Sequence, residues 1–284
     1  MRRRTERCPH PRLCGVTFHM VGSSAHAACR SRGTVSGLGT TGGSNVAPPV
    51  VGELDEVAAS STVHWETVTP TMRDVAQRLF ASRLGGSYRL AGGTGLSLQL
   101  GHRRSNDLDL FPERTDGTLD RPSIKSFLDQ FGAAAYAVDQ SSEVSAVVHG
   151  VKVSFVAYPF PWRHDPDRAG SLRVASAREI LQMKAYALGR RGTARDYADI
   201  AAGLREAVTT LADLVVESEG RFVLNGEAQF SERLFLQQLA YTDDIPESEK
   251  QAVTSELVSG TFEDMTAEIG RHLRSYLEDL GNDR

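Results

Sequence analysis

The sequence predicts an α+β protein, a small mixed sheet covered by helices and followed by an all-helical half. Three observations carry that expectation. Helical and strand patterns alternate from about residue 64 and pass into a run of strands. After Arg173 only helical patterns remain, and the first 60 residues show neither period.

Residues 1–60 are rich in Ser, Gly and Ala and contain the low-complexity run GTVSGLGTTGGSNVAPPVVG. Such a stretch has too little apolar surface to offset the entropy of ordering, so a disordered extension is expected there. Cys8, Cys14 and Cys29 all fall in it, which leaves the folded part without a disulfide frame. Its start has a superficial secretory look: Arg2, Arg3 and Arg4, then LCGVTFHMVG, then Ala25-His26-Ala27. Thr17, His19 and two glycines interrupt that apolar run, so an extension without structural role is the better expectation. No stretch approaches the roughly 18 apolar residues of a membrane span. Residues 64–284 carry 25 Lys+Arg against 32 Asp+Glu, a net charge of −7. That balance argues against indiscriminate nucleic-acid binding and leaves room for a local basic groove.

HWETVTPTMRDVAQRLFASRL opens the fold as a helix, with Thr69 as N-cap, Pro70 at the first helical position and Met72, Val75 and Leu79 at helical spacing. YRLAGGTGLSLQLGHR gives a short strand, a glycine turn and a segment whose Leu96, Leu98 and Leu100 fit helix or strand. DLDLF reads as a strand and RPSIKSFLDQF as a helix. AAAYAV, EVSAVVHG and VKVSFVAYPF read as three strands, the last two joined in a hairpin at His149-Gly150. Beyond Arg173, SAREILQMKAYALGRRG carries a capping box from Ser176 to Glu179, and TARDYADIAAGL another from Thr193 to Asp196. SERLFLQQLAY and FEDMTAEIGRHLRSYLEDL continue as amphipathic helix. The expected division is thus an extension over 1–60, a core over 64–173 and a helical domain over 174–284.

RSNDLDLF places Asp107 and Asp109 on one face of a strand whose other face is apolar. Two full charges about 6 Å apart at an effective dielectric near 20 cost about 3 kcal/mol. A solvated strand edge would relieve that cost. Leu108, Leu110 and Phe111 point instead to a buried strand, where a divalent cation resolves the conflict. Mg²⁺ is typically held by one or two carboxylates plus substrate phosphates. Upstream, Gly92-Gly93-Thr94 sits between a strand and a helix, where backbone N–H groups and an outward hydroxyl could receive phosphate; a plain glycine turn is the alternative. Arg103, Arg104 and Ser105 lie in the intervening corner and could neutralise a triphosphate.

On a later helix Lys184, Ala187, Leu188 and Arg191 share a stripe. Arg190 and Arg191 also suit an ordinary helix C-terminus. Asp196 suits a capping box, and Arg195 to Asp199 reads as a surface i,i+4 pair.

GGTGLSLQLGHRRSNDLDLF, KAYALGRR from Lys184, and TARDYADI resemble, in order and spacing, the successive motifs of the AbiEii/AbiGii nucleotidyltransferase toxins. That is the type IV toxin-antitoxin and abortive-infection family, and the similarity extends over roughly residues 64–245. The resemblance implies a DNA-polymerase-β-type nucleotidyltransferase fold, Mg²⁺, a nucleoside triphosphate donor, a cytoplasmic setting, and a tRNA or protein hydroxyl as acceptor, with an antitoxin as a further partner. Gly93 and Thr94 then match the phosphate turn, joined by Arg104 and Ser105. Asp107 and Asp109 match the metal-binding acids, Lys184 and Arg191 the K-x-x-[AT]-x-x-x-R motif, and Asp196 and Asp199 the final R-x-K-D-x-x-D. Two departures stand out: Thr193 and Arg195 replace the Arg and Lys of that last motif, and Ser154 occupies the position where a third strand acid is expected. Asp196 is a candidate base in its stead. The catalytic set is thus Asp107, Asp109, Lys184 and Asp196. The rival is a non-catalytic fold relative that binds a nucleotide or partner; a phosphohydrolase reading of DLDLF is disfavoured because a Gly-Thr turn precedes it.

Overall fold

The computed structural model describes residues 62–131 and 135–282; the extension over 1–60 and its cysteines lie outside the described residues. Thr69 caps α1 (Pro70–Ala81) by accepting the Met72 N–H, and Pro70 fills a position whose N–H needs no partner. After a short 3-10 turn come β1 (Tyr88–Ala91), α2 (Gly92–Leu100), β2 (Asp107–Pro112) and α3 (Arg121–Gln130). The ambiguous Leu96–Leu98–Leu100 segment is therefore helix; it ends at Gly101, whose φ of +65° closes the last turn.

Next follow β3 (Ala135–Asp139), β4 (Glu143–Val148) and β5 (Val151–Val156), with His149 and Gly150 both at positive φ in the tight turn between the last two. β6 (Asp167–Ala169) and β7 (Leu172–Val174) form a short hairpin that no period in the sequence announces, because three residues are too few to show an alternation. The helical half comprises α4 (Ala177–Leu188), α5 (Ala194–Arg205), α6 (Leu211–Arg221), α7 (Glu232–Ala240), α8 (Glu247–Glu256) and α9 (Phe262–Asn282). It is not helix throughout. Asn225-Gly226, both at positive φ, turn a two-residue hairpin of β8 (Val223–Leu224) and β9 (Glu227–Ala228). An Asn-Gly pair is a strong hairpin signal that the amphipathic pattern around it obscured.

The main sheet has the order β3-β4-β5-β2-β1-β7-β6. It is mixed: β2 pairs antiparallel with β1 and parallel with β5, and β1 pairs parallel with β7. Register fixes the faces. Asp107 and Asp109 lie beside Lys152 and Ser154 on β5, which lie beside Val147 and Ser145 on β4; Glu143 comes next on β4, opposite Val156. The other face carries Leu90, Leu108, Leu110, Val153, Phe155, Val144 and Ala146, all essentially buried, and α1 and α3 contribute Val75, Leu79, Ile124 and Leu128 to the same cluster. At about 25 cal/mol per Å² of apolar surface, each such side chain contributes about 1.5–3 kcal/mol.

All described residues belong to one compact unit. α4 and α5 pack on α2, and the segment after α2 is stitched to the end of α8: Arg104 N–H donates to the Glu256 carbonyl at 2.8 Å and Val258 N–H to the His102 carbonyl at 3.0 Å, with Arg103 and Leu257 bridged between them.

Candidate active site

Asp109 pairs across the sheet with Ala91, the residue just before the glycine turn, so the strand acid and the N-terminus of α2 meet directly. Gly92, at φ +61°, leaves the space that Asp109 Oδ2 fills; a β-carbon there would collide with it. Gly93 performs the same service for Arg103, whose Nη2 packs where its β-carbon would stand. The two glycines thus admit one anion and one cation to the turn.

Thr94 faces the other way from the sequence expectation. It is buried, and its hydroxyl bonds Ser105 Oγ at 2.7 Å and donates to the carbonyl of Asp107. Both hydroxyls expected at a phosphate are turned inward and tie the glycine turn to the start of β2. The backbone N–H groups of the first turn of α2 remain the anion-directed feature. Arg104 is exposed, whereas Arg103 is buried and committed elsewhere.

Neither Asp107 nor Asp109 has a side-chain hydrogen bond or ion pair within reach among the described residues. Asp109 keeps partial exposure yet is crowded by protein; desolvation, and then Asp107 beside it, push its carboxyl up to about 6. Lys184 and Lys152 pull in the opposite direction, so two ammonium groups stand close enough to be felt. Glu143 adds a further negative contribution. No three His, Cys, Asp or Glu side chains converge as a metal cage among the described residues. Two carboxylates with spare oxygens beside an α-helix N-terminus nevertheless suit Mg²⁺ carried in with a triphosphate, since that ion retains water and phosphate ligands. The hydroxyl of Ser154, next to Asp109 in register, is buried without a partner and is a further hard oxygen at the same place.

Lys184, in the middle of α4, sits between two acids of α5: 2.9 Å from Asp196 Oδ1 and 2.8 Å from Asp199 Oδ2. Burial disfavours its charge, but Asp196 and Asp199 outweigh that and raise its pKa. Asp199 is not a surface partner of Arg195. It is fully buried and receives His102 Nε2 at 2.8 Å, Arg103 Nε at 2.6 Å and Nη2 at 3.0 Å, and Lys184. Burial alone would raise its carboxyl; Arg103, Lys184 and the His102 hydrogen bond hold it well below the usual range. Desolvation lowers His102 against the pull of Asp199. Arg195 pairs instead with Glu256.

Asp196 completes the capping box with Thr193, as its sequence position suggests. Its Oδ2 accepts the Thr193 N–H at 3.1 Å and hydroxyl at 2.7 Å while Oδ1 takes Lys184. Both oxygens are engaged, which counts against the base role considered for it. Arg191 lies beyond the end of α4, and Arg190 stacks over Tyr186 at 3.7 Å. Asp107, Asp109, Lys184 and Asp196 are therefore brought into one region, with Lys184 as the link between the strand acids and α5. His102, Lys152 and Glu143 are the neighbours that sequence reasoning missed. Only strand register could have shown Lys152 and Glu143; HRR directly before the acids is the one signal that pointed near His102.

Residues 73–170 match the family model described as nucleotidyl transferase AbiEii toxin, Type IV TA system. The protein aq_aa25 of Aquifex aeolicus, an uncharacterized protein, is 29% identical over 132 residues, 45% of this chain. The matched segment spans 63% of that relative's length. Among solved structures, JHP933 from Helicobacter pylori is 18% identical with a TM-score of 0.44, covering 75% of this chain and 91% of its own. MenT4, the nucleotidyltransferase toxin Rv2826c from Mycobacterium tuberculosis, is 14% identical with a TM-score of 0.49, covering 72% of this chain and 80% of its own. The segment that carries the glycine turn and both strand acids is thus the one that is similar to the AbiEii nucleotidyltransferase family.

Proposed function

We propose that this protein moves a nucleoside monophosphate from a nucleoside triphosphate to a hydroxyl acceptor, with Asp107 and Asp109 as the metal-binding acids. The observation that carries the reading is a pair of unpaired carboxylates on β2, packed against the glycine-started helix α2 and faced by Lys184. Mg²⁺, held by Asp107 and Asp109, would supply Lewis-acid polarisation of the reacting phosphate. The N–H groups at the start of α2, including that of Gly93, together with the exposed Arg104, bind the β and γ phosphates. Thr94 and Ser105 act one step behind them, holding the turn to β2. Lys184, kept charged by Asp196 and Asp199, stabilises the negative charge that grows on the phosphoryl oxygens as the acceptor oxygen attacks and pyrophosphate departs. Arg191, at the exposed end of α4, is a candidate contact for the rest of the nucleotide.

The acceptor is a tRNA 3′ end or a protein hydroxyl, and the family points to a toxin held in check by an antitoxin. The net charge of −7 over residues 64–284 keeps the protein acceptor in play. Among the described residues no helix is long and apolar enough to cross a membrane. Incubation with each labelled triphosphate, Mg²⁺, and total cellular RNA or protein tests the reading: label should enter one acceptor class and be absent with Asp109→Ala. A second reading, nucleotide binding without turnover, is favoured by Ser154 at the third-acid position. It predicts triphosphate binding with no label transferred.

A further inference from the structure

The acceptor hydroxyl must lose a proton, and the positions from which that proton could be taken are few. Ser154 has no carboxylate to offer, and both oxygens of Asp196 are engaged. On the same sheet face, one strand beyond Ser154, lies Glu143. It is buried, 9% exposed, and has no side-chain hydrogen bond or ion pair among the described residues. Register places Asp109, Ser154 and Ser145 side by side across β2, β5 and β4, with Glu143 the next residue of β4 on that face. Ser145 and Ser154 are 0% and 2% exposed, and neither hydroxyl has a partner. Two buried hydroxyls without partners thus form a polar strip between one unpaired acid and another. Glu143 also stands close enough to Asp109 for its charge to be felt there.

We propose that Glu143 is the missing third acid, displaced one strand outward: its carboxylate takes the proton of the acceptor hydroxyl as that hydroxyl approaches the α-phosphate. The acceptor O–H bond breaks with the proton passing to Glu143, the new O–P bond forms at the α-phosphate, and the bond to the β-phosphate bridging oxygen breaks to release pyrophosphate. This inference rests on the nucleotidyl-transfer reading above.

Three measurements on the full chain test it. In E143Q, nucleotidyl transfer should fall about 100-fold, within the usual range for loss of a general base. Binding of Mn²⁺ with a non-hydrolysable triphosphate, followed by the electron paramagnetic resonance signal of the bound ion, should stay within about threefold of wild type. In the double variant E143Q/S154D a carboxylate returns beside Asp109 and should recover at least about tenfold of the lost rate. Wild-type turnover in E143Q overturns the proposal, as does a loss of Mn²⁺–triphosphate binding that S154D leaves uncorrected, which would mark Glu143 as structural. If E143Q does not fold, E143D decides: keeping the charge but withdrawing it by one methylene should slow transfer about tenfold or more, and an unchanged rate overturns the proposal. Failure of the underlying reading looks different, because wild type itself would transfer no label.

Discussion

Asp109 Oδ2 occupies the space that a β-carbon on Gly92 would need. Gly92 also sits at φ +61°, where an L side chain costs about 1–2 kcal/mol. Gly92→Ala is therefore expected to lower stability by about 2 kcal/mol and to displace the acid from Asp107. Urea unfolding and Mn²⁺ titration should show both losses together. A variant that unfolds earlier but keeps Mn²⁺ affinity would separate the glycine from the site.

The raised carboxyl of Asp109 makes the ion-free protein pay for its acid pair. An unfolded Asp titrates near 3.9 and the folded one near 6, so between those values the native state holds the extra proton. Stability is consequently unpenalised below about pH 4, declines as pH rises through about 6, and stays reduced above it, by up to about 3 kcal/mol. Asp109→Asn should raise the urea midpoint at pH 8 in a chelator and leave it unchanged at pH 4, while abolishing transfer. Equal midpoints at pH 8 would rule out this charge penalty.

Asp199 has the opposite sign. Its depressed carboxyl contributes stability that is present above about pH 4 and is lost as pH falls through its lower folded value. Asp199→Ala strands His102, Arg103 and Lys184 around an empty position. A loss of about 3–5 kcal/mol is expected, larger at pH 7 than at pH 3. Chemical denaturation at the two pH values measures it, and a change below about 1 kcal/mol would show the cluster to be loosely coupled.

Thr94 separates support from contact. Thr94→Val removes the hydroxyl that joins Ser105 and the Asp107 carbonyl, and should cost about 1–2 kcal/mol of stability. Thr94→Ser should restore it. Initial rates should give a triphosphate KM within about threefold of wild type in both, since a hydroxyl engaged inside the protein has little to give a phosphate. A large rise in KM for Thr94→Val alone would return the hydroxyl to the ligand.

The parts of this molecule that were legible in sequence are the ones set by local rules. Thr69-Pro70 announces α1, His149-Gly150 the turn of the β4–β5 hairpin, and Thr193 with Asp196 the start of α5. The alternation in DLDLF correctly gives two acids on one face. What stayed hidden depends on pairing. Nothing in EVSAVV reveals that Glu143 shares a face with Asp109, because that follows from two strand registers. Arg195 and Asp199 are four apart and invite a surface pair, yet Asp199 turns into the protein because three donors from α4 and from the segment after α2 already converge there. β6 and β7 were missed for want of length, and the β8–β9 hairpin because helix patterning flanks it.

The backbone stitch between residues 102–104 and 256–258 also sets when the protein can finish itself. Joining those segments closes a loop of about 150 residues, a late and entropically costly step for a growing chain. Synthesis proceeds from the N-terminus, and the sheet can begin to form long before α8 has left the ribosome. Arg103 and His102 nevertheless wait for α5, and their backbone waits for α8. Closure of the corner is thereby delayed until α8 has been made, so a nascent chain cut short before α8 carries the acids of β2 without the closed corner around them.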